Sequence, residues 1–140
     1  MKAARIGLLA GLLMGVTLSG AAQQDTKTLA AQRADMTWLA LVDSEQYDQS
    51  WKDAGPAFQS AVTQEKWTET IKRVRDQMGK LVVRRLKSAS YSKSLPGAPD
   101  GEYEVIIFET SFEHKQVGYE TVITSVQKDG AWRVVGYYIK

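Results

Sequence analysis

The fold follows from residues 102–113, which read EYEVIIFETSFE. Alternate side chains of a β-strand point to opposite faces of its sheet. One face of this segment therefore carries Ile106, Phe108 and Phe112, and the other carries Tyr103, Val105 and Ile107. Because both faces are apolar near the middle, the segment is predicted to be a central strand.

Three further strands are predicted around this one. Residues 81–91 open with an alternating pattern, and residues 119–127 and 131–139 follow the central segment. Pro and Gly residues mark residues 95–101 as a loop. A turn is expected near residues 116–118, and Asp129-Gly130 is typical of a tight β-hairpin. Four consecutive strands with short connections indicate an antiparallel meander.

Helices are predicted before the strands. Apolar residues recur at helical spacing in residues 28–42 and again in residues 64–78, where Gly79 is suited to end the helix. Asp43 and Gln46 are spaced like a capping box, which predicts a short helix to about residue 53. Gly55-Pro56 precedes another short turn of helix. The predicted class is α+β, with N-terminal helices on a four-stranded antiparallel meander sheet.

The N-terminus has the pattern of a cleavable signal peptide. Basic residues Lys2 and Arg5 precede an apolar run over residues 6–18, and small residues follow before Gln23. We expect cleavage after Ala22 and export to the periplasm or the exterior, with contact to a membrane only before cleavage. Residues 23–140 then form one domain.

Composition excludes several classes of function. Lys2 and Arg5 account for the whole positive excess, so the expected mature chain has no net charge, and nucleic acid is not expected as a partner. The chain has no cysteine and a single histidine, His114. Neither a thiolate site nor a multi-histidine metal site can form, and no metal, cofactor or catalytic set is predicted.

A family resemblance rests on single residues and short sequence segments that are spread along the chain. They are Trp38, Leu41-Val42-Asp43, Tyr47, Ser50-Trp51, Phe58, Trp67, the segment LPGAPDGEY at residues 95–103 and the segment DGAWRVVGYY at residues 129–138. Together they resemble the bacterial family of unknown function DUF4019. The resemblance implies a bacterial source and a shape similar to cystatin-like and nuclear-transport-factor-2-like cones, and it brings no catalytic residue.

Two functions from different classes are compatible with these residues. The first is a non-enzymatic binding or assembly module for an unknown protein or small molecule, and it is the expected one. The alternative is a small isomerase or hydrolase with a carboxylate base and a tyrosine oxyanion donor. The spacing leaves the base open between Asp43, Glu109 and Glu120, and the donor open between Tyr47, Tyr103, Tyr119 and Tyr137.

The candidate surface for a ligand or partner combines aromatic, basic and loop residues. The four tryptophans favour a core over a pocket, and the basic residues between Lys72 and Lys87 favour protection of a sheet edge over binding. The stiff loop at residues 96–101 can present a binding surface, and a homodimer through the outer sheet face is a further possibility. The candidate residues are Tyr47, Trp51, Arg84, Arg85, Pro96, Asp100, Glu120 and Tyr137.

Overall fold

A computed structural model of the protein describes residues 19–140. Four helices come first: α1 (Ser19–Asp43), α2 (Tyr47–Asp53), α3 (Pro56–Ala61) and α4 (Gln64–Met78). Four strands follow: β1 (Leu81–Ser92), β2 (Tyr103–Phe112), β3 (Lys115–Val126) and β4 (Trp132–Ile139). The α+β class and the order of elements are confirmed.

The strands form one antiparallel sheet in the order β1-β2-β3-β4. Helices cover one face of it, and the core lies between the two layers. As predicted, β2 is an inner strand, and its Ile106 and Phe108 are buried. The sheet has two unlike edges. At β4 the Gly55 N–H donates to the Val134 carbonyl over 2.7 Å, whereas β1 pairs with β2 along one edge and with no other strand of residues 19–140.

The ends of α4 agree with the sequence prediction. The Thr63 side chain accepts a hydrogen bond from the Lys66 N–H and caps the first turn. Gly79 ends the helix at φ 77°, where a residue with a side chain is strained. A Cβ on Gly79 would also lie 2.8 Å from the His114 ring, so this position needs glycine for two reasons.

Two local predictions are wrong. The capping box at Asp43 does not form, because two arginines bind the Asp43 carboxylate and α2 begins after Gln46 without a side-chain cap. The turn between β2 and β3 lies at residues 113–114 rather than 116–118. Gly118 lies inside β3, where its missing side chain allows the Lys140 carbonyl to approach.

The structure also extends α1 towards the N-terminus, because the sequence pattern predicts a helix only from residue 28 and α1 begins at Ser19. Ala, Gln and Lys favour helix over residues 21–27, and no proline interrupts them. The predicted apolar segment of the signal peptide lies outside the described residues. Cleavage after Ala22 stays a prediction.

Candidate functional site

Arg84 lies at the centre of a buried ionic network between the helices and the sheet. We call this network the arginine cluster: Asp43, Arg75, Arg84, Thr110, Glu120 and Tyr137. Arg84 donates to Asp43 through two nitrogens, at 2.7 and 2.9 Å, and to Glu120 through two, at 2.6 and 3.1 Å. The guanidinium therefore joins a residue of α1 to a residue of β3.

Glu120 has its two carboxylate oxygens fully engaged. Besides two bonds from Arg84, they accept one from Thr110 at 2.7 Å and one from Tyr137 at 2.7 Å. The Glu120 side chain is not exposed to solvent at all. Burial and the adjacent Glu120 carboxylate raise the pKa of Tyr137 well above its usual value, so its hydroxyl stays protonated.

The outer end of the arginine cluster opens to solvent beside Asp43. Arg75 donates to Asp43 over 3.0 Å, and its guanidinium also lies 4.9 Å from the centre of the Phe112 ring. A shallow depression of about 490 Å³ reaches Asp43 and Arg75. Glu120 does not line it.

A second buried polar group lies on the same side of the sheet. We call Asp35 of α1 and Glu104 of β2 the acid pair. Neither side chain is exposed, and Glu104 accepts hydrogen bonds from Thr28 at 2.7 Å and Gln24 at 3.1 Å. Neither oxygen of Asp35 has a hydrogen-bond partner among the described residues. Burial, with the charge of Glu104 as a second cause, raises the pKa of Asp35 to about 8.

Aromatic rings fill the space between the helices and the sheet. Trp38 packs against Trp67, Phe58 and Tyr137 with ring centres 5.3–5.9 Å apart. The indole N–H groups of Trp38 and Trp67 both bond to Ser50, over 2.8 and 2.9 Å. These rings are core, as the sequence predicts for tryptophans of this kind.

The opposite, outer face of the sheet carries a groove of about 1020 Å³, which we call the outer groove. Its floor consists of the side chains of Tyr103, Ile123 and Tyr138, on the sheet face opposite the core, and of Val135, which lies beside Gly55. Residues 95–99 form one wall, where the Tyr103 hydroxyl donates to the Pro99 carbonyl over 2.5 Å. The start of α3 forms the other wall.

The charged residues of the outer groove lie at its rim, and Ser125 is a polar neighbour of Tyr103 on the floor. Asp129 and Arg133 form a two-point ion pair there, at 2.7 and 3.1 Å, and cancel each other's charge. Lys128 also lines the rim and makes no ion pair within residues 19–140. The groove therefore combines an apolar floor with one positive charge at its rim.

The structure brings some of the predicted site residues together and separates the others. Arg84, Glu120 and Tyr137 meet in the arginine cluster. Tyr47 is buried in the core, and the Trp51 indole donates to the Val62 carbonyl over 2.8 Å. Pro96 lines the outer groove, whereas Arg85 and Asp100 are exposed and line no part of it.

Sequence reasoning did not single out the acid pair, although the signal was present. Asp35 lies four and seven residues before Leu39 and Val42, which places it on the apolar face of the predicted helix. Glu104 alternates with Ile106 and Phe108, on the buried face of the central strand. A carboxylate on an apolar face is the informative exception in such patterns.

Two kinds of feature do not occur in the part of the chain that the structure describes. Within residues 19–140, no three histidine, cysteine or acidic side chains converge as metal ligands. No helix in that range has the length and apolar character needed to cross a bilayer.

The fold and the buried ionic groups define an α+β domain with a helix layer on one face of an open four-stranded meander. Within that class the chain belongs to DUF4019, a family of proteins of unknown function, whose model matches residues 34–137. No curated protein and no solved structure matches the chain.

Proposed function

We propose that this protein is an exported, non-enzymatic binding module whose ligand occupies the outer groove. The observation that carries the proposal is the contrast between the two faces of the sheet. The helix side is packed with aromatic side chains, whereas the outer side holds a groove of about 1020 Å³ with an apolar floor. Grooves of that size accommodate small ligands.

The arginine cluster favours this function over catalysis. Glu120 and Tyr137 are the residue types that a carboxylate base and an oxyanion donor require, and they are 2.7 Å apart. A general base, however, must reach the proton that it abstracts. Four hydrogen bonds occupy the Glu120 oxygens, and the charge of Arg84 compensates the carboxylate. We therefore assign the cluster a role in joining the layers of the fold.

The lining of the outer groove indicates the class of ligand. An apolar floor with aromatic and proline side chains binds hydrocarbon by burial. Lys128 adds a positive charge at the rim that no acidic side chain within residues 19–140 pairs with, and Asp129 and Arg133 neutralise each other. The matching ligand is an elongated amphiphile with an apolar chain and an anionic head group.

Binding of a fluorescent fatty acid tests this assignment. We expect dansyl-undecanoic acid to bind saturably, and Tyr138→Ala to weaken binding at least tenfold because it removes an exposed ring from the floor. Tyr119→Ala is the matched control, since Tyr119 lies on the same sheet face outside the groove. Lys128→Gln should weaken binding of the acid and leave its methyl ester unaffected. Absence of saturable binding, or equal losses in both tyrosine variants, would overturn the proposal.

Export is the second part of the proposal, and it is supported by the basic, apolar and small-residue order of residues 1–22. The protein recovered by osmotic shock from a bacterial host is expected to have an intact mass that begins at Gln23. An intact mass that still includes Met1, in protein found only with the cytosol, would contradict it.

A further inference from the structure

Helix α1 contacts the sheet in two different ways along its length. Its C-terminal part is anchored by the buried side chains Trp38, Leu39 and Val42. Among residues 20–35, Ala31 is the one fully buried apolar residue, and Leu29 is 53 % exposed. The apolar area that holds the first half of α1 on the sheet is therefore small.

Polar contacts to β2 hold that first half in place. Gln24 and Thr28 both donate to Glu104, and Lys27 forms an ion pair with Glu102. Surface ion pairs and single hydrogen bonds each add little net stability compared with the burial of several large apolar side chains. The first half of α1 is thus attached weakly compared with the second half.

Asp35 lies at the boundary between the two halves and has no compensating partner. It is fully buried, and both of its oxygens lack a hydrogen-bond donor within the described residues. One oxygen of Glu104 and the hydroxyl of Thr124 also lack hydrogen-bond partners within residues 19–140, and these two residues are paired across β2 and β3. A buried carboxylate in such surroundings is stable only in its protonated form.

The other titratable groups on the elements that pack against α1 are engaged with partners of their own or exposed, except for the buried Tyr47. On the strands, Arg84 binds Asp43 and Glu120, Tyr91 and Lys27 bind Glu102, Tyr137 binds Glu120, and Arg133 binds Asp129. On the helices, Asp48 binds Thr68, Asp53 binds Gln49, and Arg75 binds Asp43. Tyr47 of α2 is buried, whereas Lys52 and Arg33 are exposed and line a separate depression beside Trp132. None of these groups supplies a charge that compensates Asp35.

We infer that residues 23–35 of α1 form a strap that is docked on the sheet while Asp35 carries its proton and lifts away when Asp35 ionises. Burial, aided by the charge of Glu104, raises the pKa of Asp35 to about 8, so release occurs as the pH rises through mildly alkaline values. The strap moves rather than the rest of the helix, because Trp38, Leu39 and Val42 anchor residues 36–43. Release admits water to Asp35 and Glu104, on the face opposite the outer groove.

Hydrogen–deuterium exchange of the purified protein tests the strap directly. After correction for the pH dependence of chemical exchange, protection of amides in residues 24–35 should fall at least tenfold between pH 7 and pH 9.5. Amides in residues 38–43 of the same helix should keep their protection and act as an internal reference. Equal protection of the strap at both pH values would overturn the inference.

Two variants test whether ionisation of Asp35 causes the loss of amide protection in the strap. Asp35→Asn keeps the shape of the side chain and cannot ionise, so the strap should stay docked at pH 9.5. Asp25→Asn removes an exposed acid from the same helix and should leave the wild-type response intact. A response that persists in Asp35→Asn would contradict the role of Asp35.

A spin-label measurement that keeps Asp35 tests the inference even if Asp35→Asn does not fold. Because the protein has no cysteine, a nitroxide can be attached at Leu29→Cys alone. Its electron paramagnetic resonance spectrum should sharpen as the pH rises above 8, which reports the faster motion of a released strap. An unchanged spectrum from pH 7 to pH 9.5 would overturn the inference.

Discussion

Asp35 should make the stability of the protein depend on pH. A carboxyl whose pKa is near 3.8 in the unfolded chain and about 8 in the folded protein binds more protons when folded. Its contribution is fully present below pH 4 and is lost as the pH rises towards 8, at about 1.4 kcal/mol per pH unit. We expect urea unfolding of the wild-type protein to show this decline.

The Asp35→Asn variant should lose that decline and be more stable than the wild type above pH 7. Its amide cannot ionise and offers hydrogen-bond donors to the neighbouring carboxylate. Urea unfolding between pH 5 and pH 9 measures both effects, with Asp25→Asn as the exposed control. A decline of equal slope in Asp35→Asn would show that another group causes it.

At the scale of single elements, the sequence predicts what is decided locally. The sequence pattern predicts the observed ends of helix α4, because both ends depend on local residues. Thr63 caps its start, and Gly79 supplies the positive φ at its end. The hairpin at Asp129-Gly130 follows equally from local conformation, with Gly130 at φ 81°. Capping at Asp43 failed because arginines distant in sequence bind its carboxylate more strongly than a backbone N–H would.

The candidate site is less predictable, because its contacts also join residues that are distant in sequence. The sequence indicates Arg84, Glu120 and Tyr137 as separate candidates, but their hydrogen bonds to one another depend on strand register and on the position of α1. The outer groove needs the wall at residues 95–99 to fold against the sheet, and its Pro and Gly content alone does not show where it packs. Long-range geometry therefore sets the site, whereas local patterns set the elements.

At the scale of the whole molecule, Arg84 should be the residue on which the two layers depend most. Arg84→Met leaves Asp43 and Glu120 without their main cation in a buried setting, which costs about 3–5 kcal/mol in comparable pairs. Urea unfolding at neutral pH measures this loss. The neighbouring Arg85 is exposed, so Arg85→Met is the matched control and should change stability by less than about 0.5 kcal/mol.

Restoring charge balance should recover part of that loss. The double variant Arg84→Met with Glu120→Gln removes one buried negative charge together with the cation, and it should be more stable than Arg84→Met alone. Equal stabilities of Arg84→Met and Arg85→Met would mean that the arginine cluster does not join the layers.

The unlike edges of the sheet limit how copies of this chain can associate. Strand addition needs a row of free backbone groups, and the Gly55 contact and α3 obstruct that row at β4. Within residues 19–140, β1 is the edge strand with the more open row of backbone groups, and two copies joined there about a two-fold axis would occupy both of these edges. Strand addition between copies of this chain is therefore expected to favour a closed pair over a fibre.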